Sequence, residues 1–303
     1  MEIIGSQRLL TFSEGSEGVS ALSCAAVRKN GARHVRNFMD LATKVAELQF
    51  RNRDFFLMFR GQHSDHRNRS GHTSLQPSLL RAGDSAVAVG KSVIDRRFRR
   101  LAVAERALVA EYRRQGMLGR ERLERQRILR WAILQHYEVC ETPLLDVTQS
   151  LRIAASFASH NAGEIAHLMV LGIPRVSGAV TASAEAGLQI VCLASVCPPT
   201  AVRPHIQEGY LLGEYPDFSG PEQQLVYSQP EMDFGRRLIA KFCFDPGEFW
   251  DPQGNFPRVE ASALYPDPSQ DPMAALAEAV KSAIAQHPSL KPKEPNHGRH
   301  LQS

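Results

Sequence analysis

No apolar run in the 303-residue chain approaches the roughly 18 residues that a membrane-spanning helix needs, so the sequence offers no such span. The opening stretch, MEIIGSQRLLTFSEGSEG, carries acidic residues and lacks a basic start followed by an apolar core; it reads as no secretory signal. Cysteines are few: Cys24, Cys140, Cys192, Cys197 and Cys243 are odd in number and scattered. They suggest no disulfide framework, and the expectation is reduced thiols in a cytoplasmic protein. The polar stretch Gln62 to Ser74 holds His63, His66 and His72, but no cysteine lies nearby and the spacing matches no familiar ligand set. No metal is expected. Internal repeats are also missing.

What is there is ordinary for a globular protein: 43% hydrophobic and 22% charged residues. A chain of this length buries one large core or two small ones. The formal net charge of +4 favours an anionic partner only mildly, and its distribution says more. Between Arg96 and Arg130 lie twelve arginines against four glutamates, Glu105, Glu111, Glu121 and Glu124. Two readings stand. The segment is the solvated face of one or two helices, with Leu101, Ala104, Leu108 and Tyr112 on the buried side; or it is the electrostatic footprint of a protein that grips nucleic-acid phosphate.

In chain order, residues 1–34 are weakly patterned and read as a loosely attached N-terminal arm. Val35 to Phe50 has apolar residues at helical spacing, and Phe55 to Phe59 (FFLMF) reads as a buried strand that ends at Arg60. An arginine there is costly to desolvate unless a carboxylate or phosphate meets it. A basic helical region follows, from about 91 to 137. Ile165 to Ile173, Leu188 to Val196, Gln223 to Tyr227 and Arg237 to Phe244 are strand candidates, and Arg203 to Leu212 reads as a loop feeding another strand. Met273 to Ala285 is a short amphipathic helix, and residues 286–303 read as a disordered tail. Helices dominate the first half and strands the second, so the expected class is α+β with mainly antiparallel pairing.

The stretch that organises the chain is Leu134 to Ala158, LQHYEVCETPLLDVTQSLRIAASFA. It reads as helix end, loop, strand, polar turn and helix. Thr148 or Ser150 is then the helix cap, and the free N–H groups beside such a corner favour an anion.

Four separated stretches, in order, resemble the FRG-domain family: FRGQ at Phe59 to Gln62 with LQPSLLR at Leu75 to Arg81; LQHY at Leu134 to Tyr137 followed by LLDVTQS; RPHIQEGY at Arg203 to Tyr210; and ALYPD at Ala263 to Asp267. The resemblance spans about residues 55–285. Three departures stand out. Where the family has Thr-Arg-Leu-Leu-Asp-Trp, this chain has Thr142 to Val147, TPLLDV; Glu138 replaces a glycine after the His-Tyr pair; and Glu208 stands where a second glutamine is common.

The motif layout is in turn similar to that of ADP-ribosyltransferases of the arginine, serine-threonine-serine, glutamate type. That resemblance implies an ADP-ribosyltransferase-like split sheet over residues 35–285 and NAD as substrate. It makes Arg60 the phosphate clamp, with Gly61, Gln62, His136, Tyr137 and Asp146 also facing NAD. Thr148 and Ser150 become the hydroxyl pair, and Gln207 or its neighbour Glu208 the third catalytic position. Of these two only Glu208 carries the charge that stabilises a developing ribosyl cation.

The expected function is an NAD-dependent mono-ADP-ribosyltransferase. RNA or another nucleic acid is the favoured acceptor, on the strength of the arginine-rich segment. By analogy with the family, the expected setting is a toxin or phage-defence effector held in check by an antitoxin or other neutralising protein. The rivals are a non-catalytic nucleotide- or RNA-binding module, a transferase acting on protein, and a scaffold whose basic helices dock an acidic protein.

Overall fold

The computed structural model describes residues 8–16, 18–81, 89–160, 162–175, 177–218, 220, 232–250, 256–287 and 290. The strands are β1 (Arg8–Phe12), β2 (Val19–Ser23), β3 (Arg33–His34), β4 (Phe56–Gln62), β5 (Leu145–Thr148), β6 (Ala166–Ile173), β7 (Val180–Ser183), β8 (Leu188–Cys192), β9 (Gly209–Glu214) and β10 (Leu238–Phe244). The helices are α1 (Cys24–Lys29), α2 (Phe38–Arg51), α3 (Lys91–Arg114), α4 (Arg120–Arg125), α5 (Arg127–His136), α6 (Leu151–His160), α7 (Leu193–Val196), α8 (Arg203–Ile206), α9 (Pro246–Phe249), α10 (Ala261–Leu264) and α11 (Pro272–Gln286). The class is α+β. None of the described helices is long and apolar enough to cross a membrane.

Eight strands form one sheet in the order β3-β10-β6-β4-β5-β9-β8-β7, and only the β3–β10 pair is parallel. The seam between β4 and β5 is slight: a single registered pair, Phe59 with Thr148, joins them. By contrast, β4 and β6 stay in register over seven residues. The sheet therefore splits into two halves. Met58, Met169, Leu171 and Leu238 from one half meet Leu145, Val147, Ile190 and Leu212 from the other in a shared core. On the outer side of the first half, α2 and α6 bury Leu41, Leu48, Ala154 and Ala158 against Leu57, Val170 and Phe242. On the second half, α3, α5 and α11 cover β8 and β9 with Leu101, Leu108, Trp131, Leu134 and Val280.

Local sequence explains several boundaries. Asn37 caps α2 by accepting the Asp40 N–H at 2.9 Å, and the apolar positions Leu41, Val45 and Leu48 recur on the buried face. Asp271 caps α11 by accepting from Met273 N at 3.0 Å, with Pro272 opening the helix. The arginine-rich segment resolves into α3, α4 and α5, and its amphipathic side packs as the spacing predicts.

Some expectations need correction. Residues 8–34 are not a loose arm: β1 and β2 pair, and Leu9, Phe12, Cys24 and Val27 are buried in the two cores. The apolar run Leu188 to Val196 is not one strand. Pairing with β9 ends at Cys192–Tyr210, and the chain then turns into α7, because an unbroken apolar run does not distinguish strand from buried helix. Arg203–Ile206 is a helical turn, α8, opened by Pro204, where a loop was expected. The two strands read in the first half, β4 and β5, form the centre of the sheet. Gln223 to Tyr227 and almost all of 286–303 lie outside the described residues.

Candidate functional site

A cleft of about 1380 Å³ opens where β4 and β5 part. Its walls are β4, the 62–81 loop, the end of α5, β5 and the α8–β9 corner, with Tyr265 at one side. Six arginines line it (Arg60, Arg67, Arg69, Arg81, Arg100 and Arg203) against four carboxylates (Glu138, Glu141, Asp146 and Asp233). The excess favours an anionic ligand.

Arg60 leaves β4 at the seam. Its Nη1 donates to the backbone carbonyl of Asp146 at 2.6 Å, and its Nε is buried without a partner. Burial pushes its guanidinium down to about 10, and the like charge of Arg81 adds to the effect. It stays protonated at neutral pH. Its contact with Asp146 is to the backbone carbonyl, and it makes no ion pair with the Asp146 carboxylate. Two neighbouring guanidiniums, that of Arg60 buried with an unused donor, are what an anion would relieve.

Gly61 is required for another reason. A Cβ there would lie 1.9 Å from the Ala154 carbonyl and 2.7 Å from the Ala158 nitrogen, so the residue lets α6 lie directly on β4. Gln62 lines the cleft with a buried Oε1 that has no partner.

His136 ends α5. It is 3% exposed and lines the cleft. Its Nδ1 is 3.7 Å from Asp146 Oδ1, and its Nε2 is buried without a partner. Burial holds its pKa below the ordinary value, so the ring is neutral at pH 7. Asp146 and Thr148 leave β5 on the face opposite Leu145 and Val147. The Asp146 carboxylate accepts from Gln135 Nε2 at 2.7 Å. Burial opposes its ionisation, but His136, the charge of Arg60 and the Gln135 amide outweigh it and hold the group below the usual carboxylate value.

Thr148 is 5% exposed; its hydroxyl donates to the Gln207 carbonyl at 2.8 Å and accepts from Ser150 N at 3.0 Å. Ser150 takes the capping position instead, with Ile153 N donating to its Oγ at 3.5 Å, and it does not line the cleft. Gln207 does line it, but its Nε2 donates to the Leu264 carbonyl at 2.6 Å. Glu208 is exposed, has φ 44, and is absent from the cleft wall. Tyr137 is also diverted: it is 2% exposed and its hydroxyl donates to Asp271 Oδ2 at 3.0 Å, which fastens α5 to the start of α11.

So Arg60, Gly61, Gln62, His136, Asp146, Thr148 and Gln207 converge on one cleft, while Tyr137, Ser150 and Glu208 stand outside it. The family model of the FRG domain matches residues 56–165. Over these residues the chain carries an FRG domain. Neither a curated protein nor a solved structure matches the chain. The FRG match begins at β4 and ends just short of β6, so it supplies both strands of the seam and the end of α5. Gln207 and Tyr265 lie beyond it and complete the cleft from the C-terminal side. Glu138, which stands in the place of a glycine, has φ 53, a left-handed conformation that glycine adopts without strain.

Sequence reasoning missed Gln135, Arg81, Arg203 and Tyr265 as cleft residues. Arg203 lies over the Tyr265 ring, 4.7 Å from its centroid, and has a buried, unpartnered Nε. All four belong to stretches that carry the family resemblance, which was the available signal. Among the described residues, no group of three or more His, Cys, Asp or Glu is arranged to hold a metal.

Proposed function

We propose that the cleft binds NAD and that the protein is a cytoplasmic mono-ADP-ribosyltransferase. The observation that carries this reading is the convergence of Arg60, Thr148 and Gln207, drawn from three separated motifs, on one arginine-rich cleft at a split in the sheet. Arg60 and Arg81 face the pyrophosphate, and the unpartnered Arg60 Nε is a ready donor to it. Thr148 and Gln207 lock to one another and fix the wall against which the nicotinamide ribose lies. His136 Nε2 and Gln62 Oε1 are further buried polar atoms awaiting a partner.

The acceptor is RNA or another nucleic acid. The support shifts here from the helical segment to the cleft. In α3 to α5, Arg97, Arg99, Arg100, Arg113, Arg114, Arg127 and Arg130 are all within ion-pair distance of carboxylates, so much of that charge is spent internally. The cleft, at about 1380 Å³, exceeds the ~300–1,000 Å³ of ordinary small-molecule pockets and leaves room for an acceptor beside the dinucleotide. Of the arginines beyond Arg60 and Arg81, Arg67, Arg100 and Arg203 also meet carboxylates, at 2.8, 3.6 and 2.8 Å, so a phosphate-bearing acceptor competes with Asp65, Glu141 and Glu138 for them. A toxin or phage-defence setting, with a neutralising partner, follows from the family analogy and from the harm such an activity does to its host.

One observation favours a second reading, a non-catalytic nucleotide- or RNA-binding module: neither Gln207 nor Glu208 presents a carboxylate to the cleft. Nicotinamide release from NAD by the purified protein, with total RNA present, separates the two. Release that Arg60→Ala abolishes supports the transferase; NAD that binds but stays intact supports the module.

A further inference from the structure

The transferase reading requires a negative group beside the ribose as its bond to nicotinamide breaks, and the sequence offers Gln207 or Glu208 for it. Neither fits, because the first is an amide committed to Leu264 and the second stands outside the wall. Four carboxylates do line the cleft. Asp233 is 2% exposed and holds Arg28 at 2.6 Å together with the backbone N–H groups of Leu75 and Gly235. Glu141 stands 4.0 Å from Arg97 and 3.6 Å from Arg100, and Glu138 pairs with Arg203 at 2.8 Å. Asp146 makes no arginine ion pair, since Arg60 takes its backbone carbonyl instead.

The Asp146 side chain is 36% exposed, so a ligand in the cleft reaches it. It is also aimed. Gln135 Oε1 accepts from Ser78 Oγ at 2.9 Å and Thr142 Oγ1 at 2.6 Å, which forces the amide nitrogen toward Asp146 Oδ2. The neutral His136 ring backs the other oxygen. Thr148, two residues along β5, leaves the strand on the same face and is locked to Gln207.

We infer that Asp146 is the catalytic carboxylate of this cleft, with Gln135 and His136 as positioning residues; the assignment rests on the transferase reading. The bond from ribose C1′ to the nicotinamide nitrogen breaks, and its electron pair leaves on that nitrogen, which becomes neutral. Positive charge develops on the ribose, and Asp146 stabilises it while accepting a hydrogen bond from a ribose hydroxyl. A lone pair of the acceptor closes the new bond at C1′, and the acceptor's proton, made acidic by that bond, passes to water.

The test compares wild type, Asp146→Asn and Glu208→Gln for initial rates of nicotinamide release over a range of NAD concentrations with total RNA present, after thermal unfolding has established that each is folded. Asparagine keeps an acceptor for Gln135 and removes only the charge. The expected result is a fall in kcat of about 100-fold for Asp146→Asn with KM for NAD nearly unchanged, and wild-type kcat for Glu208→Gln. A folded Asp146→Asn with wild-type kcat overturns the assignment and leaves the transferase standing. Should Asp146→Asn not fold, Glu208→Gln decides, since its loss of rate would return the role to Glu208. Wild-type protein that releases no nicotinamide overturns both readings.

Discussion

Arg60 Nη1 reaches the Asp146 carbonyl at 2.6 Å, so a side chain of one half of the sheet fastens the backbone of the other beside their single registered strand pair. The same guanidinium is the cation at the foot of the cleft. Arg60→Ala is therefore expected to cost about 1–3 kcal/mol of stability, because a buried acceptor loses its partner, and to abolish NAD binding. Arg60→Lys keeps the charge but not the fork, and it should raise KM for NAD at least about tenfold. Denaturant unfolding and NAD titration check the two effects separately.

Gly61→Ala should destabilise the fold by at least about 2 kcal/mol. The neighbours of the new Cβ, the Ala154 carbonyl and Ala158 nitrogen, are backbone of α6 and cannot swing aside. A fall in Tm of several degrees is the expected reading; an unchanged Tm would show that α6 does not lie on β4 in this way.

The helical lobe has its own anchor. Glu105 is 7% exposed and accepts from Arg127 Nε and Arg130 Nε, each at 3.0 Å, and from the indole N–H of Trp131 at 2.8 Å. Glu105→Gln leaves two guanidiniums without their counter-charge, and about 3 kcal/mol of stability should go with it. Nicotinamide release, measured well below the new Tm, should stay at the wild-type rate.

The exposed arginines of the same lobe give the opposite contrast. Arg113 and Arg114 pair with Glu124 and Glu111 on the surface, their own side chains 62% and 66% exposed. Reversing both charges should leave the unfolding midpoint close to that of wild type and transfer intact. Loss of transfer with a flatter salt dependence would instead make this face a nucleic-acid contact.

Acid should act through Asp65. Burial alone would raise its carboxyl, yet the hydrogen bond from Thr73 at 2.6 Å and the ammonium of Lys241 at 3.1 Å hold it below its ordinary value of 3.8. The unfolded chain therefore takes up this proton at higher pH than the folded one. The stabilisation is present above the ordinary value and is lost as pH falls through it toward the folded value. Asp65→Asn should lower Tm at neutral pH, and its difference from wild type should shrink as pH falls through about 4.

Much of the architecture was legible because it rests on periodicity. The strand ending at Arg60, the basic helical region and the helix after Ser150 follow from apolar spacing, although that region, read as one or two helices, divides into three. The hairpin at β1 and β2 was not legible, since its burial comes from contacts with β10 and α2 that are distant in sequence. The site was half legible. Motifs brought Arg60, Asp146, Thr148 and Gln207 together, but pointing directions are not written in a motif: Glu208, with φ 44, stands outside the cleft wall, and Tyr137 is drawn off by Asp271. Nor does charge in sequence reveal its own neutralisation, as the ion pairs along α3 to α5 show.

The most direct test of the account is transfer of label from NAD, carried on its ADP-ribose, into separated fractions of total RNA and total protein, with wild type and Arg60→Ala side by side. The account predicts label in the RNA fraction that is absent with Arg60→Ala. Label in protein alone would contradict the acceptor, and no label in either fraction, with NAD intact, would contradict the transferase.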